Sequence, residues 1–284
     1  MQAAITPVDL GEEIRQDIEH NRIQLPTLPE VALKVRDALE NEAANAHQVA
    51  EIVGRDPALA VRLMQVANSP LYRGRVAVEN VQMAITRMGL KLVKNLVVSL
   101  AMKQIFQATS EALDSAFRKV WEDSVEVASI ARVLAYNVDA LDPEQAMLAG
   151  LVHNIGHLPI LTKLDDSYGF DANAAMVEEM THELSPKLGC QILEHWRFNE
   201  QLSKVPCECM ILDRDAGAAD YADLVLIARL QHLAAKGRLS DDSAMERWSS
   251  FPAFAKIGLE TEVIVLEHDE HAEQIAEVRN MLHS

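Results

Sequence analysis

The sequence predicts an all-α protein, a multi-helix bundle, and three observations carry that expectation. Helix-capping patterns recur along the chain, each followed by apolar residues at helical spacing. The apolar stripes are wide enough to face a core. No alternating strand pattern of useful length occurs, and 261–266 is the only β-like run.

Element by element, Thr27-Leu28-Pro29-Glu30 caps a helix over 28–40, with Val31, Val35 and Leu39 at helical spacing. Asn45 with Gln48 three residues on opens a second, through Val49, Ile52 and Val53 to Gly54. Asp56-Pro57 starts a third, with Leu59, Leu63, Met64 and Val66 turned inward, and Asn68-Ser69-Pro70 ends it before an Arg- and Gly-rich loop at 72–75. Asn80 caps a fourth, ending at Gly89, and 90–106 reads as a long, largely buried helix. Further helices are predicted at 111–137, 143–153, 172–180, 186–196, 220–236 and 268–282. The segment 237–259 is expected to be irregular because Ser249, Ser250 and Pro252 oppose a continuous helix.

Hydrophobic residues make up 49% of the 284 and charged residues 24%, a balance that excludes long disordered tracts. No stretch approaches the roughly 18 apolar residues of a membrane span, and the first thirty residues lack the basic and apolar regions of a secretory leader. A cytoplasmic location is expected. Three cysteines, Cys190, Cys207 and Cys209, are too few and too local for a disulfide framework, and Cys207 with Cys209 supplies only two of the four ligands of a structural zinc site.

The formal net charge is -17, which disfavours a nucleic-acid-binding surface. Within this acidic chain, 55–103 carries eight basic and two acidic residues. That island is either a solvated face balanced by acidic neighbours or a docking face for an acidic partner or for phosphates.

Several motifs resemble a known family. In Leu148-Ala149-Gly150-Leu151-Val152-His153-Asn154-Ile155-Gly156-His157-Leu158, an apolar helix ending in His and a polar residue before Gly resembles the HD superfamily. There, an adjacent His-Asp pair supplies metal ligands for phosphohydrolysis. Upstream, Leu25-Pro26-Thr27-Leu28-Pro29-Glu30-Val31, Asp56-Pro57-Ala58-Leu59, Leu63-Met64-Gln65-Val66-Ala67-Asn68-Ser69 and Ala84-Ile85-Thr86-Arg87-Met88-Gly89 follow in the order and spacing of the HDOD domain, the HD-related output domain of bacterial signalling proteins. The resemblance covers roughly 20–235. It implies an N-terminal helical half at 21–110 and a degenerate HD-like half at 111–236, flanked by a helical extension at 1–20 and a C-terminal one with a final helix at 237–284. Whether that last segment belongs to the bundle is open.

Carried over residue by residue, the resemblance places the HD metal positions at Asp123, His153, Asn154, Ser185, Glu208, Cys209 and Arg229. Asn154 stands where the pair's acid belongs, Ser185 where a histidine does, Glu208 and Cys209 where a histidine pair does, and Arg229 at the last aspartate. A divalent ion needs several imidazole and carboxylate ligands. This set implies no metal, no cofactor and no catalysis. His157 is open between an acid–base partner of His153 and a capping residue.

The resemblance thus implies a non-catalytic signalling module that binds another protein or a small ligand. The alternative is a residual phosphohydrolase, or a sensor of cyclic dinucleotides or guanosine polyphosphates, using the degenerate cleft through His153, Asn154 and Arg229. Candidate contacts for a signalling partner are Asn68, Ser69, an exposed Tyr72, Arg73, Arg75, Arg87 and Lys91; the competing reading of Asn68, Ser69 and Tyr72 is that they end a helix and fill an inter-helix gap.

Overall fold

A computed structural model describes residues 12–14, 16–17, 20, 22–40, 45–108, 110–168, 174–215, 217–237, 251–258 and 269–283. Among them the regular structure is helical, with no strand. The predicted β-like run at 261–266 lies outside the described residues.

The N-terminal half holds α1 (Glu30–Glu40), α2 (Ala46–Gly54), α3 (Pro57–Asn68), α4 (Val81–Met88) and α5 (Leu90–Met102), the last running into a 3-10 turn at Lys103–Phe106. The caps operate as their sequences require. Asn45 and Gln48 form a reciprocal capping box, the Asp56 side chain accepts from the Leu59 N–H, and that of Asn80 accepts from the Met83 N–H. Each satisfies a backbone donor that the first helical turn would leave orphaned.

The second half is built on α6 (Glu111–Leu134), a 24-residue helix, with α7 (Pro143–Val152), α8 (His157–Tyr168), α9 (Ala174–His195), the single turns α10 (Glu200–Ser203) and α11 (Val205–Glu208), and α12 (Tyr221–Ala235). Two sequence expectations need correction here. α8 was not expected; Pro159 lies in its first turn, where no intrahelical N–H is lost. Leu158, Ile160, Leu161 and Leu164 fill the inner face of α8. Conversely, the helices expected at 172–180 and 186–196 are one helix that continues through Pro186. Burial of Met180, Leu184, Leu188 and Ile192 along one side outweighs the single hydrogen bond that the proline removes.

Two further helices follow, α13 (Pro252–Ile257) and α14 (Asp269–His283). Pro252, expected to oppose helix, instead opens one at its first position. α14 packs on α6, buries Ile275, Val278 and Leu282, and joins Arg279 to Glu126.

One continuous core runs through both halves. α5 packs on α7, Trp196 donates to the Pro26 carbonyl at 2.9 Å, and α6 meets α7 so closely that a Cβ on Gly150 would stand 2.4 Å from the Ala128 Cα. That contact requires glycine. α6, α7 and α12 pack on one another and α9 packs on α8 and α11, and side chains from α6, α9, α12 and the segment joining α7 to α8 converge on one cavity.

Candidate functional site

The cavity measures about 270 Å3. Its walls are stripes of helix at i, i+3, i+4 and i+7: Glu178, Thr181, His182 and Ser185 from α9, and Arg229, His232, Leu233 and Lys236 from α12 and its C-cap. α6 adds Asp123 and Val127, the turn after α7 adds His153 and Asn154, and the first residue of α8 adds His157. Pro186, Pro206 and Met210 complete the lining. The turn is seated against α9, since a Cβ on Gly156 would lie 2.0 Å from the Ser185 carbonyl oxygen and 2.7 Å from the Gly189 nitrogen. Only glycine brings His153 and His157 this close to Ser185.

The electrostatics of the site follow from its partners. Burial opposes ionisation of Asp123, but His232, with Nε2 3.1 Å from Oδ1, and the Lys236 ammonium on the same oxygen outweigh it and hold the carboxyl well below its ordinary range. The His153 ring is buried, with Nδ1 2.6 Å from the Gly150 carbonyl. A carbonyl only accepts, so Nδ1 carries the proton and Nε2 is the acceptor of the neutral ring. Burial, then the Arg229 charge, lower its pKa strongly. His157 shares a 2.7 Å hydrogen bond with the Ser185 hydroxyl, and burial and Arg229 lower its pKa to about 4. Both rings are neutral at pH 7.

Arg229 donates through Nη1 to the Cys209 carbonyl at 3.1 Å. Among the described residues, no carboxylate lies within ion-pair distance of its guanidinium, whereas Arg132 holds Glu144 and Arg214 holds Glu208, Asp220 and Asp223.

Asp123, His153, Asn154, Ser185 and Arg229 therefore line one cavity, while Glu208 and Cys209 do not. The Glu208 carboxylate pairs with Arg214 at 2.5 Å, and Cys209 is buried with its Sγ directed at the Pro206 carbonyl. The irregular turns after α9 shift the register, so Met210 faces the cavity in their stead. His182, His232 and Lys236 belong to the site and were missed; the i, i+3 and i+7 spacing of Arg229, His232 and Lys236 is the signal that marks the last two.

The expectation about cysteines is also corrected. Cys190 and Cys207 form a disulfide, with Cα atoms 6.1 Å apart, that ties α9 to α11. Helix packing brings together two residues that are 17 apart in sequence.

The proposed contact segment at 68–91 is largely engaged within the chain. Asn68 is bonded to the Val78 backbone in both directions, at 2.9 and 2.8 Å. The backbone of Ser69 caps α3. Tyr72 is half-buried, not exposed; its hydroxyl donates to Glu144 at 2.7 Å, and Arg132 lies over its ring. Arg87 donates to the Ala67 and Val76 carbonyls, and Lys91 pairs with Asp142 at 2.9 Å. Arg73 and Arg75 remain exposed.

Comparison with known proteins accords with this geometry. The family model of the HDOD domain matches residues 25–206. The chain belongs to the HDOD family. This HDOD chain is similar, at a TM-score of 0.84 and 28% identity, to a "Putative metal-dependent phosphohydrolase" from Shewanella amazonensis SB2B, over 97% of this chain and 99% of that one. It shares the fold of an HDOD domain protein with unknown function from Geobacter sulfurreducens, at a TM-score of 0.69 and 20% identity over 96% and 97% of the two chains. A curated uncharacterized protein from Treponema pallidum (strain Nichols) is 25% identical over 139 residues, 47% of this chain; the match spans about a quarter (26%) of that relative's length.

The Shewanella protein's name raises the question of a metal. Among the described residues, no group of three or more His, Cys, Asp or Glu side chains is placed to hold an ion. Asp123 is already neutralised by Lys236, and Arg229 adds a fixed positive charge. These residues do not fit a divalent cation.

Proposed function

We propose that this HDOD chain is a non-catalytic signalling module that transmits its signal by binding a protein or a small ligand. The observation that carries this reading is Arg229. A guanidinium with no carboxylate partner among the described residues stands in the cavity where the HD resemblance puts the last metal-binding aspartate, and it lowers the pKa of both neighbouring histidines. A cation held by such a cavity would meet Coulomb repulsion in a medium that screens it poorly. Without the ion, no water is activated for attack on a phosphoester.

Protein binding draws support from the basic loop, where Arg73 and Arg75 are exposed beside Val76. No helix among the described residues is long and apolar enough to cross a membrane.

The test is elemental analysis of purified protein combined with hydrolysis of p-nitrophenyl phosphate and its bis-ester in the presence of manganese, iron or magnesium. The expected outcome is no stoichiometric metal and no turnover above the level of a His153→Ala variant. Stoichiometric metal with turnover abolished by that variant would sink the reading.

A further inference from the structure

We propose that the cavity binds a small phosphate-bearing anion directly on Arg229, with no metal ion between. This deepens the non-catalytic reading and rests on it. The counter-charge that no described residue gives Arg229 would come from the ligand.

A partly buried charge without a counter-charge is costly, and this chain avoids that arrangement at Arg132 and Arg214, each of which holds carboxylates. Among the described residues, Arg229 donates to the Cys209 carbonyl and also bonds the Cys209 side chain, neither of which carries a counter-charge at neutral pH. A guanidinium has five N–H donors in a planar fork that matches the oxygens of a phosphoryl group, and most of them remain available.

The surroundings accommodate an anion. Asp123, the near carboxylate, is tied to His232 and Lys236 and presents little net negative charge. Glu178 lies at the exposed rim. The Asn154 amide supplies a neutral hydrogen-bonding group in the same lining.

Charge and geometry favour a phosphate over a carboxylate: a dianion is drawn more strongly to the fixed guanidinium charge than a monoanion is, and its additional oxygens can engage more of the fork's N–H donors. At about 270 Å3 the space admits inorganic phosphate or a small phosphomonoester and lies at the lower end of ligand pockets, which run from roughly 300 to 1,000 Å3.

The experiment is titration of the EDTA-treated protein with inorganic phosphate, and with acetate for comparison, by calorimetry. Histidine ring shifts of the unmodified protein are followed by NMR. Phosphate should bind without added metal, more tightly than acetate, and should move the His153 and His157 resonances. Arg229→Gln should weaken binding at least roughly tenfold, Arg229→Lys should recover part of it, and Arg118→Gln, an exposed arginine on α6, should leave it unchanged. The ring shifts need no variant, so misfolding of Arg229→Gln does not rescue the idea. Absence of phosphate binding up to about 10 mM, binding insensitive to Arg229, or equal binding of acetate would each overturn the proposal and leave the non-catalytic reading standing. Binding that requires manganese and is accompanied by turnover would overturn both.

Discussion

Replacing His157 with glutamine should flatten the acid side of the protein's stability profile. The ring is half-buried, hydrogen-bonded to Ser185 and close to Arg229, and its pKa is about 4 in the fold against an ordinary 6.5. A depressed histidine pKa means that the unfolded chain binds more protons between these values, so stability is complete above pH 6.5 and is lost as pH falls toward 4. The full difference is about 3 kcal/mol. Between about pH 7.5 and about pH 5.0, the unfolded ring takes up nearly a whole proton and the folded ring about a tenth, a loss of about 2 kcal/mol. Glutamine keeps an acceptor for the Ser185 hydroxyl and removes the titration. Urea unfolding followed by circular dichroism at both pH values measures the difference directly. The unmodified protein should lose about 2 kcal/mol more than the variant, while His153 and Asp123, present in both, contribute to the shared slope. Parallel profiles, within about 0.5 kcal/mol, would show that His157 titrates as a solvated imidazole and that the cavity does not impose its field.

Three other outcomes follow from named contacts. Arg132→Met strands the largely buried Glu144 carboxylate, 2.9 Å from the lost guanidinium, and should cost about 3–5 kcal/mol in urea unfolding, much of it regained by adding Glu144→Gln. Gly156→Ala forces a methyl into the Ser185 carbonyl and the Gly189 nitrogen; a cost of about 2 kcal/mol or more is expected, along with lost perturbation of the His157 ring by NMR. The Cys190–Cys207 bond closes a 17-residue separation, so dithiothreitol should lower stability by about 3 kcal/mol and leave Cys190→Ser unaffected; equal sensitivity of the two proteins would show that the bond does not form in solution.

The helices most legible in the sequence are those whose signals are local. Asp56 caps Leu59 and Asn80 caps Met83 across three residues, and such hydrogen bonds form wherever the segment is helical, whatever lies beyond it. The misread places are those where packing outweighed propensity. Pro186 sits inside α9 because that helix buries Met180, Leu184, Leu188 and Ile192 along one side. The site was partly legible for the same reason: His153 and Asn154 stand in a recognisable motif, and α12 shows its inner stripe once Arg229 is placed on it.

By itself, then, the sequence determined the helical class, the family and the absence of a metal-binding aspartate after His153, since these rest on residue identity and on spacings of a few positions. Only the tertiary structure decided what those residues face. It brought Asp123 to Lys236, 113 positions away, paired Cys190 with Cys207, turned Tyr72 inward onto Glu144 and left Arg229 without a carboxylate among the described residues. Such juxtapositions depend on how close-packed helices cross, and packing is a property of the whole core that no local segment encodes.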